Sequence, residues 1–384
     1  MKKTLTAIAV LGAFAGSAIA ADVQLYGLVD YGFAYQHADA DVANQDAVDS
    51  FKMNSGMNSG SRFGVKGTEE LGNGLTVGFV LENGFDADSG SLTTSGKLFD
   101  RESQVYLKGN FGTLSMGRVG QLASANGSFG LLGGVSPFSS GWGDSVGQKF
   151  VMAQGFGRMD NTVTYVTPDF AGFKVHAQYS FEGDSSQKLE GTSDANRYYG
   201  VAATYETGPL YLVAIVDSVN YGDKQFNSNV ANPDDDQMTV TLGGSYDFGP
   251  AKLFASGQYF QHAAAVGQKF VDFNKDNVNG INKYGYNFGA AANGADGYGL
   301  ALGISAPVLG GTAKAHVGYL DAEGSDNGAQ DLTRWNVAVG YDYALSKRTS
   351  LYTAAAYTKD DVNTKAYTGE PSMVEVMAGM IHRF

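Results

Sequence analysis

Long stretches of the chain alternate between apolar and polar residues. In TRWNVAVGYDY (333–343), Trp335 and every second residue after it are apolar or aromatic, and the residues between them include Asn336 and Asp342. The same alternation runs through QMTVTLGGSYDF (237–248) and FKVHAQYSFE (173–182). Successive side chains of a β-strand point to opposite faces, so this period of two predicts strands with one apolar and one polar face.

A soluble β-sandwich would also alternate, with its apolar faces turned inward. Three features favour a barrel that spans a membrane. The polar face carries charged residues on many strands and is otherwise built of small residues. The apolar face ends in Tyr or Phe near the strand termini, as an aromatic girdle would. The strands also run about ten residues, which is enough to cross a bilayer at a tilt.

The connections between strands are alternately short and long. Long polar stretches cover 36–60, 119–157, 220–236 and 264–295. Seven short turns lie between the other strand pairs, at 68–74, 110–112, 167–172, 206–209, 247–250, 306–311 and 344–350. Seven turns and eight loops join sixteen strands, and an even number is expected for a bacterial barrel. A barrel must close so that no edge is left unpaired in lipid, so strand 23–35 should pair with strand 373–384.

Composition and charge agree with an exported protein. Residues 1–20 combine Lys2 and Lys3, an apolar stretch and a final Ala18-Ile19-Ala20, which predicts a signal peptide and a mature chain of residues 21–384. The chain has no cysteine, which excludes a disulfide framework. Its formal net charge of −13 argues against nucleic acid as a partner.

Three blocks of the sequence resemble a known family, and they are SRFGVKGTEELGNGLTVGFVLENGF (61–85), FDRESQVYLKGNFGTLSMGR (99–118) and RMDNTVTYVTPDFAGFKVHAQYS (158–180). They are similar to the trimeric general porins of Gram-negative bacteria, of the beta-proteobacterial type. The resemblance implies an all-β fold, a 16-stranded antiparallel transmembrane barrel, a homotrimer in the outer membrane, and a third loop folded into the lumen. It also implies that the terminal Phe384 is a signal for the outer-membrane assembly machinery.

The segment 119–157 is the candidate constriction loop. It is rich in glycine and serine, and it carries apolar residues such as Phe138, Trp142 and Phe150 that an external loop would not need. A simple surface loop is the alternative. An inward loop would narrow the channel at the point where the charge of the wall acts most strongly on a passing ion.

Candidate constriction residues come from the loop and from the strands around it. Arg62 and Lys66 share the polar parity of one strand, and Arg158 and Asp160 that of another. Arg101 and Arg118 have ambiguous parity and are included because the family places basic residues at matching positions. The full set is Arg62, Lys66, Arg101, Arg118, Asp144, Lys149, Arg158 and Asp160. It predicts a basic constriction with a mild anion preference, unless some arginines merely pair with Glu102 or Asp160.

The predicted function is passive diffusion of ions and small hydrophilic solutes across the outer membrane. Acidic outer segments can bind divalent cations shared with lipopolysaccharide, so outer-membrane lipid is an expected partner. No enzyme activity is expected, because residues 143–147 match a nucleophile motif without its strand–turn–helix context. No dedicated metal site is expected either, because the five histidines lack the H-x-x-x-H spacing of a metal site, and no cofactor is expected. A sugar-specific channel would need a row of aromatic residues facing the lumen, and an adhesin would not need an inward loop.

Overall fold

The computed structural model of the chain describes residues 22–43, 46–153, 155–222, 235–267, 294–325, 330–363 and 368–384. In these ranges the chain forms nineteen strands joined by antiparallel pairing. Their bounds are β1 (Gln24–Asp39), β2 (Val48–Ser55), β3 (Arg62–Gly72), β4 (Leu75–Asp86), β5 (Ser91–Leu92), β6 (Glu102–Gly109), β7 (Gly112–Gly120), β8 (Arg158–Val166), β9 (Phe173–Ser180), β10 (Arg197–Thr207), β11 (Leu210–Asn220), β12 (Gln237–Asp247), β13 (Lys252–Ala263), β14 (Ala295–Val308), β15 (Gly311–Gly324), β16 (Asp331–Ala344), β17 (Thr349–Asn363), β18 (Thr368–Gly369) and β19 (Ser372–Arg383). No helix in the described ranges is long and apolar enough to cross a membrane.

The strands close into a sixteen-stranded barrel. The strands β2 and β3 both pair with β1 and share one position in the wall, and β5 and β18 are two-residue additions. The first strand pairs with the last from Leu28 opposite Arg383 to Asp39 opposite Ser372. Phe384 extends this pairing, with backbone hydrogen bonds of 3.0 and 3.1 Å to Gly27. The predicted closure between the two ends of the chain is therefore confirmed.

The seven predicted short turns are confirmed, since each connects two antiparallel neighbours. The predicted loop at 36–60 is wrong in part, because β1 continues to Asp39 and 48–55 forms β2. The outward side chains of β2 extend the apolar surface of β1, with Phe33 and Phe51 stacked at 5.7 Å. The predicted signal peptide, residues 1–20, lies outside the described residues.

The two faces of the wall follow the predicted parity. On β16, Trp335 is 54% exposed on the outside, whereas the neighbouring Arg334 is 1% exposed on the inside. On β12, Leu242 faces outward and Thr241 is buried inside. An apolar outer face and a polar inner face are the pattern expected of a transmembrane barrel.

The segment 119–157 folds into the barrel, as predicted. After β7 ends at Gly120, the chain forms two 3-10 turns, Leu132–Val135 and Gln148–Val151. Its apolar side chains Phe138, Trp142 and Phe150 are almost fully buried, and Phe138 and Trp142 pack in one cluster with inward-facing residues of the wall. This burial explains why a glycine-rich loop carries large apolar residues.

Candidate pore constriction

The middle of the inward loop is attached to Glu375 on β19. The Glu375 carboxylate accepts hydrogen bonds from the backbone N–H of Asp144 at 3.0 and 3.1 Å and from the Ser145 hydroxyl at 2.8 Å. The Gln36 amide of β1 donates to the same carboxylate at 3.0 Å. Asn336 of β16 donates to the Ser145 carbonyl at 2.5 Å. Three strands therefore fix the position of these two loop residues.

The end of the loop is attached to a buried ion pair. Arg334 binds Asp360 through two parallel contacts, Nε to Oδ1 at 2.7 Å and Nη2 to Oδ2 at 2.8 Å. The remaining Nη1 donates to the Phe150 carbonyl at 3.0 Å. Two neighbouring strands thus supply an ion pair that also holds the loop backbone.

Between the loop and the wall lies a compartment of about 620 Å³. Residues 125–128 and 137–142 of the loop line one part of it, and β3, β4, β6 and β8 contribute charged side chains. The cations are Arg62, Arg101, Lys149, Arg158, Lys314 and Arg383, and the carboxylates are Glu82 and Glu102. Six positive groups against two negative groups give this compartment a formal charge of +4.

Glu82 organises two of the arginines. Its Oε1 lies 2.7 Å from Arg101 Nε and 3.6 Å from Arg62 Nη1. The Tyr26 hydroxyl donates to its other oxygen at 3.0 Å. One carboxylate thus places two guanidinium groups side by side and neutralises only one of the two charges.

Arg158 and Glu102 are not partners. Glu102 accepts from the Ser128 backbone N–H at 2.7 Å and from the Ser128 hydroxyl at 3.1 Å. Among the described residues, no carboxylate lies within ion-pair distance of Arg158, and its buried Nε has no hydrogen-bond partner. Among the residues that the structure describes, Arg158 is therefore a lining cation without an ion-pair partner.

Arg118 and Asp160 form a separate cluster outside this compartment. Arg118 Nη1 lies 2.6 Å from Asp160 Oδ1, and its Nε donates to the Asp100 carbonyl at 2.6 Å. Lys97 Nζ binds the other Asp160 oxygen at 2.7 Å and Asp184 at 3.2 Å. The sequence left open whether one of the arginines pairs with Asp160, and in the structure Arg118 does.

The other predicted site residues lie around the compartment. Lys66 is exposed and does not line the compartment, and its Nζ lies 5.1 Å from the centre of the Tyr26 ring. Asp144 faces an adjoining recess of about 300 Å³ and accepts from Gln36 at 2.8 Å. Lys149 lines both spaces, and burial lowers its pKa, while the nearby charges of Asp144 and Glu375 act to raise it.

Sequence reasoning missed Glu82, Lys314 and Arg383 as lining residues. Lys314 Nζ lies 2.7 Å from Asp342 and 4.5 Å from the centre of the Trp142 ring. It shares the inward parity of His316, which was the available signal in the sequence. In the part of the chain that the structure describes, no group of His, Asp or Glu side chains is arranged to hold a metal ion.

A closed barrel with polar side chains inside and a charged compartment narrowed by its own loop defines a transmembrane diffusion channel. A family model described as Gram-negative porin matches residues 5–363. An outer membrane porin protein of Bordetella pertussis is 32% identical over the full length of both chains. Outer membrane porin protein 32 of Delftia acidovorans is 34% identical, covering 94% of this chain and 90% of that one.

Among solved structures, an anion-selective porin from Comamonas acidovorans matches with a TM-score of 0.68 and 28% identity, covering 95% of this chain and all of that one. The chain belongs to the Gram-negative porin family. It is an outer-membrane porin, and its barrel is a passive diffusion channel.

Proposed function

We propose that this porin prefers anions, and that the inward loop 119–157 and the basic wall opposite it form its constriction. The observation that carries the proposal is the excess of cations in the loop-lined compartment, six against two. In a narrow channel with low-dielectric walls, one sign of charge enriches ions of the opposite sign. The channel thus favours anions without a specific binding site.

The arrangement of the arginines supports this mechanism. Arg62 and Arg101 are held next to each other by Glu82, and Arg158 lines the same compartment without an ion-pair partner among the described residues. An anion that passes the loop can exchange part of its hydration shell for the N–H groups of one arginine and then move to the next arginine. Several contacts of similar strength allow an ion to enter and to leave. The similar Comamonas porin is described as anion-selective, which is consistent with this proposal.

Uptake of two sugar derivatives of similar size and opposite charge tests the preference. In proteoliposomes at neutral pH, anionic gluconate should enter several-fold faster than protonated glucosamine, because the compartment is net positive. Glucose serves as the neutral size control and should fall between them. Faster entry of glucosamine than of gluconate would show that the acidic outer segments dominate, and would overturn the proposal.

We also propose a homotrimer whose outer face meets lipopolysaccharide, and an assembly role for Phe384. The family resemblance supports the trimer, and the pairing of Phe384 with Gly27 shows that the last residue takes part in barrel closure. Deleting Phe384 should lower the amount of protein in the outer membrane, measured in fractionated cells. An unchanged amount would contradict its assembly role, and a monomeric mass for the native protein would contradict the trimer.

A further inference from the structure

The strand position beside β1 in the barrel wall is filled by both β2 and β3, and the pairing with β1 is interrupted between them. On one side of the break Tyr31 of β1 pairs with Ser55, and on the other Leu28 pairs with Arg62. The two residues Val29 and Asp30 of β1 therefore lie opposite the six residues 56–61. A bulge inserts extra residues that cannot stay in the ladder, so this segment must leave the wall.

The extra residues go into the barrel. Met57 is buried in a cluster with Phe138 and Trp142 of the loop, and its carbonyl accepts a hydrogen bond from the Gly143 N–H at 2.7 Å. The segment lies over the inner face of β1, because a Cβ added at Gly32 would come within 2.7 Å of the Met57 methyl group. Gly56, Asn58, Ser59 and Gly60 line the basic compartment.

Asp30 holds this segment. Its carboxylate is fully buried, and its Oδ2 accepts from the backbone N–H groups of Asn58 at 2.8 Å and Ser59 at 2.7 Å. Its Oδ1 accepts from the Tyr352 hydroxyl at 2.6 Å, and Tyr352 packs against Trp142 of the loop. A buried carboxylate with three donors is a strong anchor for otherwise irregular backbone.

The segment in turn holds two cations of the compartment. Arg62 Nε donates to the Gly60 carbonyl at 3.0 Å, and its Nη2 donates to the Ser59 hydroxyl at 2.5 Å. Arg101 packs against Gly60 so closely that a Cβ there would lie 2.8 Å from Nη1. A shift of residues 56–61 would therefore move both guanidinium groups.

We infer that Gly56–Ser61 is a second inward element of the constriction and that Asp30 is its positioning residue. The long loop and this short segment contact each other and bound the same compartment. Asp30 acts on ion selectivity through the position of Arg62 and Arg101, and only this part of the inference rests on the proposed anion preference.

A single cysteine tests the location of the segment independently of selectivity, since the chain has no native cysteine. Asn58→Cys, reacted with a negatively charged methanethiosulfonate reagent, should reduce single-channel current by about half, because the label enters the narrow region. Ser193→Cys, at an exposed position, is the control and should leave the current unchanged. Asn58→Cys that does not react, or that reacts by mass with no loss of current, would place the segment outside the pore and overturn the inference.

Asp30→Asn tests the positioning role, because a positioning effect and a direct charge effect would change the anion preference in opposite directions. If Asp30 acted only through its negative charge, the substitution would increase anion preference. Positioning predicts that the anion-to-cation permeability ratio falls by a factor of about two, and that it does not fall further when Arg62 and Arg101 are both already replaced by glutamine. Glu182→Gln is the matched control, because the buried Glu182 carboxylate also accepts from two backbone N–H groups, those of Leu189 at 2.8 Å and Glu190 at 3.1 Å, and none of these residues lines the compartment.

An increase in the ratio for Asp30→Asn, or an equal fall for Glu182→Gln, would contradict the positioning role. The cysteine measurement keeps the inward location testable if Asp30→Asn fails to assemble. It also separates the two proposals. A porin that favours cations but is blocked by the label at residue 58 would disprove the anion preference and leave the second inward element intact.

Discussion

Replacing Arg62, Arg101 and Arg158 together by glutamine should abolish the anion preference of the channel. The formal charge of the compartment falls from +4 to +1, and Glu82 loses both of its guanidinium partners. A charged, narrow channel enriches counter-ions, so the anion-to-cation permeability ratio should fall several-fold, to a value close to one. The reversal potential in a planar bilayer under a potassium chloride gradient measures the change.

The control variant removes three exposed cations that do not line the compartment, Lys108, Lys188 and Lys347, also as glutamine. It has the same net charge as the first variant and should keep the wild-type reversal potential, because salt screens solvent-exposed charges outside the narrow region. Equal shifts for both variants would mean that total charge, and not the compartment, sets the preference.

Arg334→Met should destabilise the barrel strongly. Arg334 and Asp360 are both almost fully buried, and the substitution leaves the Asp360 carboxylate without its partner and removes the donor to the Phe150 carbonyl. Breaking a buried pair by removing one partner costs about 3–5 kcal/mol. The free energy of unfolding in urea, followed by tryptophan fluorescence in detergent or lipid, measures the loss.

Two further variants separate the ion pair from other effects of the substitution. Arg334→Met with Asp360→Leu should recover most of the stability, since an apolar pair can replace a buried ion pair at little cost. Lys359→Met breaks the exposed pair with Glu370 and should cost no more than about 1 kcal/mol. Arg334→Met with wild-type stability, or a double variant that is weaker still, would contradict this account.

Local patterns, which involve only residues close together in the sequence, predicted the fold well. Alternation in 237–248 and 333–343 identified the outward face correctly, because a strand fixes the direction of each side chain by parity alone. Closure followed from the membrane, since a free edge cannot exist in lipid. Arg62 and Arg158 reach the compartment as their parity predicted.

Features that depend on contacts between distant parts of the chain were not predictable in this way. Residues 56–60 fall in the predicted outer loop 36–60, because glycine and serine indicate irregular backbone but not the side of the wall on which it lies. Their anchor, Asp30, is an isolated acidic residue in the sequence of β1. The pairing of Lys97 and Arg118 with Asp160 joins residues up to 63 positions apart, and only the folded barrel brings them together.

The most direct test of the central claim is anomalous diffraction from crystals of the porin soaked in bromide. The account predicts bromide peaks in the compartment between Arg62, Arg101 and Arg158 and the inward loop, since these groups should form the anion path. Bromide peaks at other lysines and arginines of the barrel with none in this compartment would contradict it.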